Sequence, residues 1–163
     1  YIPRGGLFGT WFQCFLPYAG HTGDTTDYRN VKIFRCPSFP DKRQTVCYVV
    51  SSWTFDGPAD MTGREITEPT RLNTFKYPKT TVYMAENEVG AWRPVIEAAA
   101  DPGIQRLDIW NAGHLPFSGS TDVTYGRRIA PNRHRAGGNY LFLDWHVEYI
   151  STEEMSMEYW RDK

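Results

Sequence analysis

Apolar residues are concentrated in short runs along the chain, which predicts strands and short helices rather than long helices. Residues 45–53 and 80–85 are rich in β-branched and aromatic side chains, the composition that suits a half-buried strand. Residues 139–150 form two further runs around a two-residue turn at Asp144-Trp145, as in a β-hairpin. The pattern therefore predicts an antiparallel sheet of about four or more strands.

Two segments have the residue spacing of a helix. Residues 8–16 place apolar side chains three and four positions apart, which predicts a short amphipathic helix that Pro17 ends. Ser151 and Glu154 have the spacing of a capping box, which predicts a last short helix to about Trp160.

The remaining stretches are rich in glycine, proline and polar residues and predict long loops. They lie between Trp53 and Pro78 and from Asp101 to Asn132, and long loops are where binding surfaces are often placed. A chain of 163 residues without repeats has the size of one domain. We therefore predict one α+β domain over residues 1–163.

Charge and hydropathy favour neither nucleic acid nor a membrane surface as a partner. The formal net charge is -1 and the charges are scattered, so no basic surface for nucleic acid is predicted. No basic amphipathic stretch indicates a membrane surface. No run of 18 apolar residues is present, so the residues by themselves predict a globular domain.

Three cysteines, Cys14, Cys36 and Cys47, form an odd set without the Cys-x-x-Cys spacing of a structural zinc site. We therefore expect no such site. A disulfide between Cys36 and Cys47 is a candidate pairing, and one cysteine must then stay free or pair with a residue outside this chain.

His134, Asp144 and His146 are the first candidates for chemistry. One carboxylate and two imidazoles suit a divalent metal or general acid-base catalysis. The alternative is structural, because an Asp in a turn accepts bonds from nearby backbone N–H groups and a strand His often bonds a backbone carbonyl. We favour the structural interpretation, with these residues fixing the hairpin.

Acidic loops are the candidate calcium sites, since Ca²⁺ binds several carboxylate and carbonyl oxygens. Asp24 with Asp27, and Asp56 with Asp60, have suitable residue types. Neither loop matches an EF-hand, so solvated surface acids are the favoured interpretation and no cofactor is predicted.

Motifs of nucleophilic catalysis and phosphate binding are absent. The chain has no Gly-x-Ser-x-Gly, Walker or Rossmann sequence, and we predict that it is not an enzyme. Trp53, Trp92 and Trp110 lie in or near the predicted loops and offer an alternative role as a platform for a sugar.

The segment before and within the hairpin follows a spaced pattern in which nine residues separate His134 from Asp144. It resembles the bacterial prepilin-type "processing-associated H-x9-D-G" family. The matching residues are Arg133, His134, Gly137, Gly138, Asn139, Phe142, Asp144, His146 and Val147. Trp145 replaces the family's glycine, and since a two-residue type I′ turn needs positive φ there, we expect another turn type or a longer loop.

Other positions resemble the same family in the same order. They are Tyr1-Ile2-Pro3, Trp11, Leu16-Pro17-Tyr18, Cys36-Pro37-Ser38, Tyr48, Val49, Tyr77-Pro78, Thr81 and Glu86. The resemblance implies a pilin-like globular domain that follows a leader and a long N-terminal helix in a longer precursor. That helix would anchor the precursor in the inner membrane and lie across the sheet, so its removal would expose an apolar surface.

The resemblance also implies a function. The chain would be the head of a pseudopilin or minor pilin in a type II secretion or type IV pilus-like assembly. Its partners would be other pilin-type subunits, and its location the extracytoplasmic side of the bacterial envelope or the cell surface. Major pseudopilins hold calcium in a loop of this domain, although no matching residues are found. The alternatives are an envelope or carbohydrate binding module on a pilin-like anchor, and a metal-dependent hydrolase.

Overall fold

The computed structural model describes residues 1–5, 11–21, 27–89, 107–122 and 125–162. In these residues one α-helix and seven strands alternate with short 3-10 turns. The elements are α1 Trp11–Phe15, β1 Tyr48–Ser51, β2 Trp53–Thr54, β3 Arg64–Glu65, β4 Val82–Glu86, β5 Asp108–Ile109, β6 Gly137–Phe142 and β7 Val147–Ser151. The 3-10 turns are Leu16–Ala19, Asp27–Asn30, Lys32–Phe34, Leu72–Thr74, Ala112–His114 and Met157–Trp160.

Five strands form the main sheet in the order β5-β1-β4-β6-β7, and β2 and β3 form a separate antiparallel ribbon. The α+β class is confirmed. The prediction of an antiparallel sheet is wrong at one edge, because β5 pairs with β1 in parallel. This strand has two residues and lies within the segment predicted as a loop. A parallel neighbour needs a long connection, and residues 52–107 separate β1 from β5 in the chain.

The two faces of the sheet differ in burial. Val49 of β1 pairs with Ala85 of β4, and both face the main core, together with Tyr140 of β6. Met84 pairs with Leu141, which pairs with Val147. Directly paired residues lie on the same face of an antiparallel sheet, and these three side chains are only partly buried or exposed. One face therefore carries the core and the opposite face is partly open.

An aromatic cluster holds α1 against the 3-10 turns Asp27–Asn30 and Lys32–Phe34. The ring of Trp11 lies 5.6 Å from that of Phe34, and Phe12 lies 4.6 Å from Tyr28. Helix α1 confirms the predicted helix over its described part, and Phe8 lies outside the described residues. The chain continues past Pro17 as a 3-10 turn, because proline is tolerated in a first helical turn, where its missing N–H costs little.

The closing hairpin is formed, with a longer loop than two residues. Phe142 N donates to His146 O at 2.9 Å and Trp145 N donates to Phe142 O at 3.0 Å, so Leu143 to Trp145 form the loop. Trp145 has φ 74°, the left-handed conformation that ends a three-residue hairpin loop. The expectation of a longer loop is confirmed, and the tryptophan adopts the conformation that glycine favours.

The capping box near the C-terminus forms without a helix after it. Ser151 Oγ donates to Glu154 Oε2 at 2.7 Å and Glu154 N donates to Ser151 Oγ at 3.2 Å. Residues 152–154 nevertheless form only a turn, and the 3-10 turn Met157–Trp160 follows. The predicted helix is therefore wrong in type. Trp160 is fully buried in the core, and its burial determines the path of the backbone after Ser151.

Candidate functional site

Three side chains from separate parts of the chain meet at one end of β4. Glu86 Oε1 lies 3.1 Å from Cys36 Sγ and 2.7 Å from His134 Nε2. One donor atom from each residue lies within 4.8 Å of the others. We call this group the Cys36–Glu86–His134 cluster. In the described part of the chain no other group of three or more His, Cys, Asp and Glu side chains is as close.

Each member is positioned by a different local structure. Cys36 follows the 3-10 turn Lys32–Phe34, and Cys47 N donates to Phe34 O at 2.8 Å, which fixes this loop beside β1. Glu86 is the last residue of β4. His134 N donates to Gly137 O at 3.0 Å in a tight turn just before β6. The cluster therefore joins a loop, a strand end and a turn.

Tight packing at the start of β6 explains the glycine at position 137, the first of the Gly137-Gly138 pair. Gly137 pairs with Ser151 of β7, and a Cβ atom at Gly137 would overlap the carbonyl oxygen of Ile150. Only glycine allows this approach. The strand therefore begins at Gly137, two residues before its predicted start, and the turn with His134 is held close to β4.

Glu86 is a buried carboxylate that accepts three hydrogen bonds. Its side chain is 4 % exposed, and besides Cys36 and His134 the backbone N of Asn139 donates to Oε2 at 3.3 Å. Burial and the hydrogen bond to Glu86 raise the pKa of the Cys36 thiol to about 11. The thiol is therefore protonated near neutral pH, so Cys36 is not an activated nucleophile.

The structure does not form the candidate disulfide. Cys36 and Cys47 are both free and buried in one small apolar cluster with Phe39. The Cys36 thiol is engaged by Glu86, and Cys47 Sγ lies 4.0 Å from Gln44 O. Cys14 is also free, and it is exposed.

The chemical types in the cluster suit a particular group of metals. Thiolate, imidazole and carboxylate are all ligands of Zn²⁺ and of related transition metals, whereas Ca²⁺ takes only oxygen ligands. The cluster could thus hold a metal ion, with one ligand atom from each side chain. Cys36, Glu86 and His134 are each among the positions that resemble the prepilin-type family, but nothing in the sequence indicates that they meet.

The structure separates His134 from the other two residues of the predicted His-Asp-His set. At about 3.3 Å per residue, the six residues of β6 put roughly 20 Å between the two ends of the strand. His146 Nδ1 and Asp144 Oδ1 lie 2.5 Å apart, and the His146 ring stacks on Phe142 at 4.2 Å. The hypothesis of a hydrolase site that combines His134, Asp144 and His146 is therefore wrong.

The Asp144–His146 pair instead fixes the hairpin loop. His146 N also donates to Asp144 Oδ1, at 3.3 Å. The hydrogen bond from the His146 side chain holds the pKa of Asp144 below its usual range. This agrees with the structural interpretation of both residues, whereas His134 belongs to a different group of side chains.

The described calcium candidates serve their own loop. Asp60 Oδ1 accepts from Gly63 N at 2.9 Å and from Thr62 N at 3.0 Å, and these backbone bonds lower the pKa of Asp60. Asp56 faces Arg64 at 3.6 Å. The carboxylates of Asp56 and Asp60 therefore both have partners in their own part of the chain. Asp24 lies outside the described residues, and of Asp27 only the backbone, at the start of a 3-10 turn, is described.

The two described tryptophans of the candidate platform, Trp53 and Trp110, pack against other parts of the protein. Trp53 is fully buried and donates from its indole to Thr62 O at 2.9 Å, so it belongs to the core. Trp110 packs edge-on against His114 and Tyr125 at 4.8 and 5.5 Å. Trp92 lies outside the described residues.

An apolar groove of about 870 Å³ runs over the open face of the sheet. We call it the sheet groove. Its floor carries Tyr48, Met84, Leu141 and Val147, one from each of the four neighbouring strands β1, β4, β6 and β7. Its walls include Trp11, Phe15, Tyr18, Ile33 and Trp145. Asn139 lies between the sheet groove and the Cys36–Glu86–His134 cluster. It lines the groove, and its backbone N donates a hydrogen bond to Glu86.

No family model, curated protein or solved structure matches this chain. Within the described residues, no helix has both the length and the apolar character needed to cross a membrane.

Proposed function

We propose that this chain is the pilin-like head of a bacterial envelope protein, a pseudopilin or minor pilin of a type II secretion or type IV pilus-like assembly. The observation that carries the proposal is the sheet groove, an apolar surface that no described helix covers. Under this proposal, an apolar helix N-terminal to the head lies in the groove.

The dimensions of the sheet groove support a helix as its occupant. Neighbouring strands lie about 4.8 Å apart, so a floor of four strands is roughly 15 Å wide. An α-helix with its side chains is about 10–12 Å across. The aromatic side chains of Tyr18 and Trp145 also line the groove and add apolar surface for such a helix to pack on.

The chemistry of the groove supports an apolar occupant. Tyr18, Ile33 and Val147 are 87 %, 73 % and 64 % exposed. Full burial of an apolar side chain contributes about 1.5–3 kcal/mol, so covering this surface would stabilise the protein considerably. Lys32 is the one lysine, arginine, aspartate or glutamate among the described residues that line the groove. A charged ligand would find little to pair with there.

The proposal assigns partners and location. The membrane half of the N-terminal helix would hold the head on the extracytoplasmic side of the inner membrane, and other pilin-type subunits would pack beside it. A soluble-phase role in binding nucleic acid is not supported, because the net charge is -1.

The test uses the complete gene product in its bacterial host. We expect the coding sequence to place a short leader and an apolar helix of about 20 residues before Tyr1, and the processed protein to fractionate with the inner membrane. A reading frame without an apolar helix, or a product that stays in the soluble fraction, would contradict the proposal.

A further inference from the structure

The Cys36–Glu86–His134 cluster has no role in the proposed head function, and a buried carboxylate lies at its centre. Glu86 is buried, and in the described residues no arginine or lysine forms an ion pair with it. The nearby Arg133 instead donates to Asn87 O at 2.7 Å and stacks on Phe39 at 4.4 Å. A buried carboxylate requires either a protonated partner or a cation.

Small shifts would turn the cluster into a tetrahedral set of ligands. Metal bonds of about 2.0 Å to N and O and 2.3 Å to S put tetrahedral donor atoms about 3.3–3.6 Å apart. The observed separations are 2.7 Å between His134 and Glu86 and 3.1 Å between Cys36 and Glu86. These two separations are within about 1 Å of the required value, and Cys36 Sγ lies within 4.8 Å of the His134 ligand atom.

We propose that Cys36, Glu86 and His134 bind a divalent transition metal of the Zn²⁺ class through one sulfur, one oxygen and one nitrogen atom. Three protein ligands leave a fourth position for water. The His134 side chain is 32 % exposed, which gives an ion a way in from solvent. The metal would join the loop at Cys36, the end of β4 and the turn before β6.

Metal binding replaces hydrogen bonds by metal bonds, and the protons must be accounted for. The Cys36 thiol loses its proton to solvent. His134 Nε2 binds without a hydrogen, which moves to Nδ1 in a neutral ring or to solvent from a protonated ring. The Glu86 carboxylate then bonds the metal in place of its two side-chain donors, and its charge is compensated by the cation.

Cobalt provides the direct test, because a thiolate bound to Co²⁺ gives a charge-transfer absorption band that an oxygen or nitrogen ligand does not. The protein is freed of metal with a chelator and titrated with Co²⁺ and then with Zn²⁺. We expect the band to appear with one equivalent of Co²⁺ and to disappear as Zn²⁺ displaces it. Ca²⁺ at the same concentration should leave it unchanged.

Matched variants locate the ligands. We expect Cys36→Ser to lose the thiolate band and His134→Ala to bind Co²⁺ at least about tenfold more weakly. Cys47→Ser removes the neighbouring buried thiol, and His146→Ala removes the histidine at the other end of β6, so both should keep the wild-type spectrum. A band that is lost in Cys47→Ser but kept in Cys36→Ser would overturn the assignment.

Thermal unfolding of the wild-type protein gives a readout that does not depend on the folding of any variant. A metal that binds only the folded state raises its Tm. We expect Zn²⁺ to raise the Tm and Ca²⁺ to leave it unchanged. Wild-type protein with no thiolate band in excess Co²⁺ and no Tm shift with Zn²⁺ would show that the cluster is only a hydrogen-bonded one.

Discussion

Besides Arg135, Trp145 is the one described non-glycine residue with a positive φ. Its φ of 74° lies in the left-handed region, which costs a side chain about 1–2 kcal/mol relative to the right-handed conformation. The indole ring offsets part of this cost by packing edge-on against Tyr83 at 6.1 Å. The ring also lines the sheet groove, so the strained position presents an aromatic side chain to the proposed helix.

Substitution at Trp145 separates the backbone term from the ring contacts. Trp145→Gly and Trp145→Ala both remove the ring, but only alanine retains the strain. We expect the glycine variant to be more stable than the alanine variant by about 1 kcal/mol in urea unfolding. At the exposed strand residue Tyr149 the order should reverse, because glycine is less stable than alanine by about 0.5–1 kcal/mol in regular structure. Equal stability of the two Trp145 variants would contradict the strained turn.

The Asp144–His146 pair predicts a pH dependence at the same loop. A carboxyl whose folded pKa is lowered stabilises the protein above its ordinary pKa of about 3.9, and this contribution is lost as the pH falls through the lowered value. We expect His146→Ala to raise the pKa of Asp144, as measured by carboxyl ¹³C NMR. The pKa of Asp41, which Arg43 lowers, should not change. An unchanged Asp144 titration would mean that His146 is not its partner.

At the scale of elements, Arg4 near one end of the chain meets Asp162 near the other. Arg4 Nη2 lies 3.6 Å from Asp162 Oδ2, and both side chains are almost completely buried. Phe55 N donates to Asp162 Oδ1 at 3.1 Å, and Thr81 Oγ1 donates to Arg161 O at 2.6 Å. These contacts attach the C-terminal segment to the sheet after Trp160 has entered the core.

Breaking the buried pair should be costly. Arg4→Met leaves the Asp162 carboxylate buried without a cation, which typically costs about 3–5 kcal/mol. Adding Asp162→Asn should recover part of this loss, because the amide is neutral and still accepts from Phe55 N. The exposed Arg64–Asp56 pair has the same 3.6 Å separation, and Arg64→Met should cost less than about 1 kcal/mol. Urea unfolding of the wild type, the two single variants and the double variant measures these free energies. Equal losses of stability for Arg4→Met and Arg64→Met would contradict this account.

The strands with strong local signals could be predicted, and those that depend on distant contacts could not. The runs that became β1, β4, β6 and β7 are visible because each combines aromatic with other apolar residues over a short stretch. Strand β5 has two residues, too few for any period, and its pairing with β1 is set by the tertiary structure. The capping box at Ser151 formed as predicted, but its local bonds did not outweigh the anchoring of Trp160.

The candidate site escaped prediction for a related reason. Cys36 and His134 are 98 residues apart in the chain, and no spacing rule connects them. Closeness in the sequence suggested a site made of His134, Asp144 and His146. Strand β6, however, lies between His134 and the other two residues and keeps them apart. Glu86 gave no signal of its own, because a carboxylate at the end of a strand is usually solvated.

At the scale of the whole molecule, the sheet has a core on one face and an unfilled apolar groove on the other. Exposed apolar patches of this kind mark sites of protein or membrane interaction. A helix in the groove would complete a second layer over β1, β4, β6 and β7, the arrangement in which a sheet buries its apolar face against a helix. We therefore propose that the sheet groove binds a helix of the same polypeptide.

Site-specific photo-crosslinking of the complete gene product in its host envelope tests this claim most directly. A photoreactive amino acid is placed at Val147, on the groove side of β7, or at Glu148, which points to the other face. We predict that position 147 crosslinks to a peptide encoded upstream of Tyr1 and that position 148 does not. Crosslinks from both positions alike, or from position 147 only to unrelated molecules, would contradict the claim.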